Sequence, residues 1–395
     1  MESHALDDLQ ATLQRSGPDA AIDRLITDLK SRRDAHGVFY ALLMKKRHAL
    51  GVSPVPTGSN QDLPANVHAA FEEGIREAAR TAGQLCLDEN NIPQAWAYFR
   101  MLGEPAPVAA ALAKLEPSDD QDIQPLVEIA LHHGVLPEKG YEWVLRRYGI
   151  CNAITMLSGD LPLSPEGRAA CIRRLVRALH QELVERLRSE ISRQEAEKVS
   201  GPFSAAETGP DTFSVRNLIA GRDWLFNDDF YHIDLSHLSS VVQMSMHLEP
   251  STELGMAREL CEYGQHLSGR FVNPGDPPFE DQYRAIGLYL GILAGDRVEE
   301  GLDYFRKQAE QADPETVGTY PAQVLVNLLL KLGRAPEALT VARKYLASAD
   351  NRQMSCPSIV ELCQKVGDFR TLAEVAREQG DPVHFLAGLL AARTV

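Results

Sequence analysis

No two of the six cysteines (Cys86, Cys151, Cys171, Cys261, Cys356 and Cys363) form a CxxC pair. That absence removes zinc ribbons and thioredoxin-type redox motifs, and thiols scattered along apolar helical stretches read as small buried side chains in a reducing compartment. Also missing are a phosphate-binding glycine loop with a lysine, an HExxH pair and a GxSxG elbow, so the familiar catalytic signatures are absent. The apolar runs, such as Val324 to Leu330, fall far short of the roughly 20 residues that a membrane span needs. Basic side chains are outnumbered, 40 against 55 acidic ones, and the net charge of -15 disfavours broad binding to nucleic acid or to an anionic membrane. The amino terminus, beginning Met1-Glu2-Ser3-His4, has no basic flank leading into an apolar stretch and reads as neither signal nor transit peptide. A cytoplasmic protein is expected.

Alternating apolar and polar residues with β-branched enrichment are absent as well, whereas helical spacing is everywhere. Leu6, Leu9 and Leu13 form one stripe, stopped by Gly17-Pro18, and Ile22, Leu25, Ile26 and Leu29 form the next. The expected fold is all-α, a right-handed superhelix of helical hairpins. Residues 1–51 read as N-terminal helices, followed by a turn-rich linker, and residues 64–160 as a hairpin repeat region. Residues 164–199 read as one long helix, because Ser164 suits an N-cap, Pro165 suits the first turn, and no Gly or Pro follows Gly167. Its apolar stripe, from Ile172 through Leu175, Leu179, Leu183 and Leu187 to Ile191, offers a face for self-association. Residues 200–233, with two Gly-Pro pairs and many aromatics, read as an irregular insertion, and residues 234–395 as further hairpins.

Repetition sharpens the C-terminal reading. Gly295, Gly333 and Gly367 each end an apolar helix, are followed by Asp296, Arg334 and Asp368, and lead into a second amphipathic helix. Gly333 and Gly367 are 34 residues apart, Gly295 and Gly333 are 38 apart. Gly301, Phe305, Ala309 and Pro314 sit on the second helix of the first unit, and Gly333-Arg-Ala-Pro-Glu-Ala338 opens that of the next. The third substitutes Leu372 for the small residue. Upstream, Gly83, Asn90, Ala95, Phe99 and Leu102 keep the same register. These units resemble degenerate tetratricopeptide repeats, over about 110 C-terminal residues and about 30 near residue 90. The physical logic is that small residues let two helices approach while large ones fill the seam to the next pair.

That resemblance implies a non-catalytic scaffold for protein or peptide partners, with no cofactor. The first helices of the pairs would line a concave groove, which places Tyr289, Tyr320, Gln323, Asn327, Lys331, Glu361 and Lys365 toward a ligand. Local positive charge there would steer an acidic or carboxylate-ended segment. Members that bind chaperone tails use a clamp of lysines and asparagines, of which only Asn327 is matched.

A second reading rests on Asn227-Asp228-Asp229-Phe230-Tyr231-His232-Ile233-Asp234-Leu235-Ser236-His237. Asp228, Asp229, His232, Asp234 and His237 are ligand types for a divalent metal, and Asp234 and His237 share a face if a helix begins there. This would make the protein a metal-dependent helical enzyme. The competing structural role is an N-cap by Asp234 or Ser236, with the aromatics packing a junction.

Overall fold

The computed structural model describes residues 2–56, 63–198, 214–271, 275–313, 316–347, 349 and 354–393. All regular structure among them is helical, as expected. The chain divides into two compact units, Met1–Cys171 and Ile172–Val395.

In the first unit, α1 (Glu2–Ser31) is bent where the sequence stops its first stripe, at Gly17, whose φ is +86°. Helix α2 (Ala35–Ala49) starts where the Asp34 carboxylate accepts from the Gly37 N–H at 2.8 Å. Helices α3 (His68–Asp88) and α4 (Ile92–Leu102) form a hairpin, with Asn91 capping α4. They touch closely because Gly83 has no side chain: a Cβ there would meet the Phe99 ring at 2.8 Å. Phe99 is buried against this face, and a side chain of that kind contributes about 1.5–3 kcal/mol relative to exposure. Next come α5 (Ala106–Lys114), the short α6 (Gln124–Val127) running into a π turn at Glu128–His132, and α7 (Pro137–Ser158). Tyr141 and Trp143 fill the core beside α7, where the Tyr141 hydroxyl donates to the Ala153 carbonyl at 2.9 Å.

Helix α8 (Pro165–Lys198) is the long helix, opened by Ser164, which accepts from the Gly167 N–H. The unit boundary falls inside it, between Cys171 and Ile172, where no break in helical pattern marks it. Leu175, Val176, Leu179, Leu183 and Leu187 are buried. These residues of the stripe are covered within the protein. Arginines on its outer face pair along the helix, Arg186 with Glu182 at 2.9 Å and Arg193 with Glu190 at 2.7 Å.

The second unit continues with α9 (Val215–Ile219), a 3-10 segment Asp223–Asp229, α10 (Leu235–Ser245) and α11 (Thr252–Gln265). Residues 199–213, most of the expected insertion before its aromatic half, lie outside the described residues. Then follow α12 (Gln282–Leu293), α13 (Val298–Gln311), α14 (Tyr320–Lys331), α15 (Ala335–Tyr345), α16 (Ile359–Val366), α17 (Phe369–Glu378) and α18 (Pro382–Ala391). Each helix from α10 to α18 packs on its sequence neighbour. Gly295, Gly333 and Gly367 turn the chain between partners with φ of +74° to +78°, the left-handed region that costs glycine nothing. Gly301 lies where a Cβ would meet Ile292 at 2.6 Å, so the small residue sets the α12–α13 approach. Pro314, the last residue of that repeat pattern, lies outside the described residues.

Candidate functional site

The residues placed toward a groove divide into three groups. Tyr289, Tyr320, Asn327 and Lys331 converge on one cavity of about 570 Å³, whose remaining walls are Met246, His247, Phe279, Val324, Leu330, Ser355 and Pro357. Gln323 is buried and faces the protein instead. Its amide donates to Thr319 Oγ1 at 2.9 Å and accepts from the backbone N–H and hydroxyl of Ser355 at 2.7 and 2.9 Å. Glu361 and Lys365 lie exposed on α16, where Glu361 closes a capping box with Ser358, and neither lines the cavity.

Inside the cavity the polar groups are few and incompletely used. Asn327 Nδ2 donates to the Ser355 carbonyl at 2.9 Å, and its Oδ1 accepts from no described residue. The Lys331 ammonium donates to the Met246 carbonyl at 2.8 Å and stands 5.9 Å from the centre of the Tyr289 ring. Partial desolvation lowers its pKa below the ordinary lysine value, against the opposing field of Glu249. Tyr289 is 5% exposed, yet its hydroxyl has no hydrogen-bond partner among the described residues. Burial, assisted by nearby Tyr320, pushes its pKa up to about 12. Phe279, 6.5 Å from Tyr320 ring to ring, and Met246 give the apolar part of the wall. A smaller cavity of about 340 Å³ shares Met246, His247, Phe279 and Tyr320 and adds Gln243, Met244 and Ile286.

Met246, His247 and Phe279 escape a repeat-based reading, because they come from the end of α10 and the loop before α12. Two methionines within three residues, Met244 and Met246, are the one hint in the sequence, since thioethers suit adaptable binding walls. Another cavity of about 570 Å³ lies over α12 and α13, but much of its charge is spent internally, as in Arg258–Asp296 at 2.5 Å and Arg297–Glu300 at 3.4 Å.

The Asp/His segment is built differently. Asp234 is exposed and caps α10, accepting from the N–H groups of Ser236 at 2.8 Å and His237 at 3.2 Å. The Ser236 and backbone hydrogen bonds hold its carboxyl below the usual aspartate range. His232 instead turns inward among Phe226, Phe230 and Tyr263. Its backbone N–H donates to the Tyr263 hydroxyl at 2.8 Å, and its Nδ1 lies 3.1 Å from the same oxygen. Burial lowers the His232 pKa, with Glu190 opposing. His237 is half-buried on the first turn of α10, and the side chains of Asp228 and Asp229 lie outside those described. Among the described residues no three His, Cys, Asp or Glu side chains are grouped to hold a metal ion.

One further polar cluster was invisible from the linear sequence. Glu259 on α11 joins His180 of α8 at 2.8 Å, the Ser214 hydroxyl at 2.5 Å and the Val215 N–H at 2.9 Å. Burial would raise its pKa, but these donors together outweigh it and keep the carboxylate ionised below the ordinary value. The carboxylate stands between the hydroxyl and the imidazole, so this is a structural tie and not a nucleophile–base pair.

No family model, no curated protein and no solved structure matches this chain. The described cysteines are free, and all but Cys151 are buried. Among the described residues no helix is long and apolar enough to cross a membrane.

Proposed function

We propose that this protein is a non-catalytic helical scaffold of degenerate tetratricopeptide-like hairpins that holds a protein or peptide partner in the cavity of its second unit. The observation that carries the reading is the unspent hydrogen bonding in that cavity: among the described residues, Asn327 Oδ1, the Tyr289 hydroxyl and the remaining Lys331 N–H donors have no partner and stand in a mostly apolar wall. A concave, mostly apolar site with a few convergent polar groups is the common form of a binding pocket, and about 570 Å³ is within the usual size range. Consecutive hairpins supply a rigid frame, and the methionine and aromatic walls supply adaptable contact area. The test is affinity capture from extract of the cells that make the protein, run in parallel with a Tyr320→Ala/Leu330→Glu variant shown by circular dichroism to be folded. A partner retained by wild type and lost from the variant supports the reading. Partners retained equally by both would remove it.

A further inference from the structure

Exposed apolar side chains are concentrated on α18. Among the described residues thirteen large apolar side chains are exposed, and four of them, Val383, Leu386, Leu389 and Leu390, lie on this helix of ten residues. Its other side is packed tightly on α17. Gly388 is buried there, where a Cβ would meet the Phe369 carbonyl oxygen and the Ala373 nitrogen, each at 2.9 Å. Leu386 and Leu390 lie two residues before and after Gly388, which at 3.6 residues per turn points them almost directly away from α17. With Val383 and the exposed Ala387 they keep the i, i+3, i+4, i+7 spacing of a face that packs. Charge narrows what can pack on it. The whole chain carries -15, so copies of it repel, yet residues 369–393 hold three acids and three arginines and are neutral. Along α18 the signs are sorted by end. Asp381 caps the first turn, 2.6 Å from His384 Nδ1, and Arg393 follows the last turn, exposed and without an ion pair among the described residues.

We propose that α18 is a self-association helix, through which two copies of the chain pair antiparallel about a twofold axis passing between Leu386 and Ala387. Each Val383 then meets the partner's Leu390, and each Leu386 meets the partner's Ala387. The antiparallel arrangement lays every Arg393 at the Asp381 end of the other helix and sets the two helix dipoles head to tail, both of which are favourable. Parallel pairing would instead bring like charges together at each end. An acid at the start, a base at the end and an apolar stripe between them are complementary to the same helix reversed, which is what an isologous contact requires. One helix pair covers less than the roughly 800 Å² per partner of a standard interface, so the dimer is weak, with a Kd in the micromolar range. No residue of α18 lines the cavity proposed above as the binding site, so the two readings are independent.

Sedimentation velocity of the full chain from about 1 to about 200 µM is the first test. The expected result is a reversible monomer–dimer equilibrium, the average mass rising from 43.6 kDa toward twice that value. Leu386→Glu/Leu390→Glu should weaken it at least about tenfold. That variant should stay folded by circular dichroism, because both side chains are exposed in the single chain. Arg393→Glu should weaken it by about threefold, and more at low salt. Orientation is read by crosslinking in a Cys151→Ser background, which removes the exposed thiol among the described cysteines. Val383→Cys and Leu390→Cys chains, mixed and oxidised with diamide, should form the mixed disulfide dimer. Neither should crosslink to itself, since like positions lie about 10 Å apart along the paired helices, beyond disulfide reach. A monomer at every concentration would overturn the proposal, as would a dimer undiminished in Leu386→Glu/Leu390→Glu. Val383→Cys crosslinking to itself as readily as to Leu390→Cys would overturn the antiparallel arrangement.

Discussion

Two buried tyrosines, one on α11 and one on α12, behave in opposite ways. Tyr263 is fully buried, and its hydroxyl is engaged by the backbone N–H and the ring of His232. Tyr289 is almost as buried, but its hydroxyl engages nothing among the described residues and the side chain lines a cavity. The same contrast separates the two regions that attracted attention in the sequence. In the Asp/His segment, Asp234 is occupied with a cap, and His232 is buried in an aromatic cluster with its Nδ1 against the Tyr263 hydroxyl and its Nε2 unpartnered among the described residues. Around Lys331, polar groups keep capacity to spare. A dense run of chemistry-bearing residues is therefore no guide to a site; convergence on a cavity with unspent hydrogen bonds is the better one.

The comparison breaks most visibly at Tyr263. Tyr263→Phe leaves a buried backbone N–H without its acceptor, which should cost about 1–3 kcal/mol. Urea denaturation of the full chain measures it, and an unchanged midpoint would show that the His232 segment does not depend on this hydroxyl. Asp234→Ala comes next, at about 1 kcal/mol, because it removes the acceptor for two N–H groups at the start of α10. If the segment held a metal instead, the same variant would abolish a calorimetric signal on titration with a divalent cation, and wild type should show none.

Acidity gives a smaller effect with a defined sign. His232 has a folded-state pKa below its unfolded value of about 6.5, so the folded state resists protonation. Its contribution is fully present above pH of about 6.5 and is lost as the pH falls through that value toward the lower folded pKa. Glu190 acts on the charge of His232, and the titratable Tyr263 and His266 pack in the same ring cluster. Comparing urea midpoints at pH of about 7.5 and about 5 for wild type and His232→Leu isolates the term. The variant should lose less stability on acidification. Equal losses would show that the ring titrates freely.

Much of the helical plan was legible because local rules set it. The start of α8 follows from Ser164 and Pro165, its length from the missing breakers, and the hairpin turns from Gly295, Gly333 and Gly367. What stayed hidden depends on contacts between distant residues. Gln323 has the same position on its helix face that a groove residue would have, yet Ser355, 32 residues later, folds over it and takes its carbonyl oxygen. Likewise Met246 and Phe279 become cavity walls only through tertiary packing, and beyond the Met244–Met246 pair their own sequence neighbourhoods do not mark them. The boundary between units was illegible for the opposite reason: helical periodicity runs straight through Cys171 and Ile172.

The smallest expected stability change is the most informative about the cavity. Tyr289→Phe keeps the ring that stands 6.0 Å from Phe305 and 5.9 Å from the Lys331 ammonium, and removes only the hydroxyl. Since that hydroxyl has no partner among the described residues, no protein group is stranded by its loss. Removing a polar atom that folding left unpaired is close to neutral, so stability should move by less than about 0.5 kcal/mol. This is the same chemical change as Tyr263→Phe, made one helix away, and the two results should differ severalfold. A loss at Tyr289 as large as that at Tyr263 would mean that the hydroxyl is held by the protein after all, and that the cavity has one fewer group to offer a ligand.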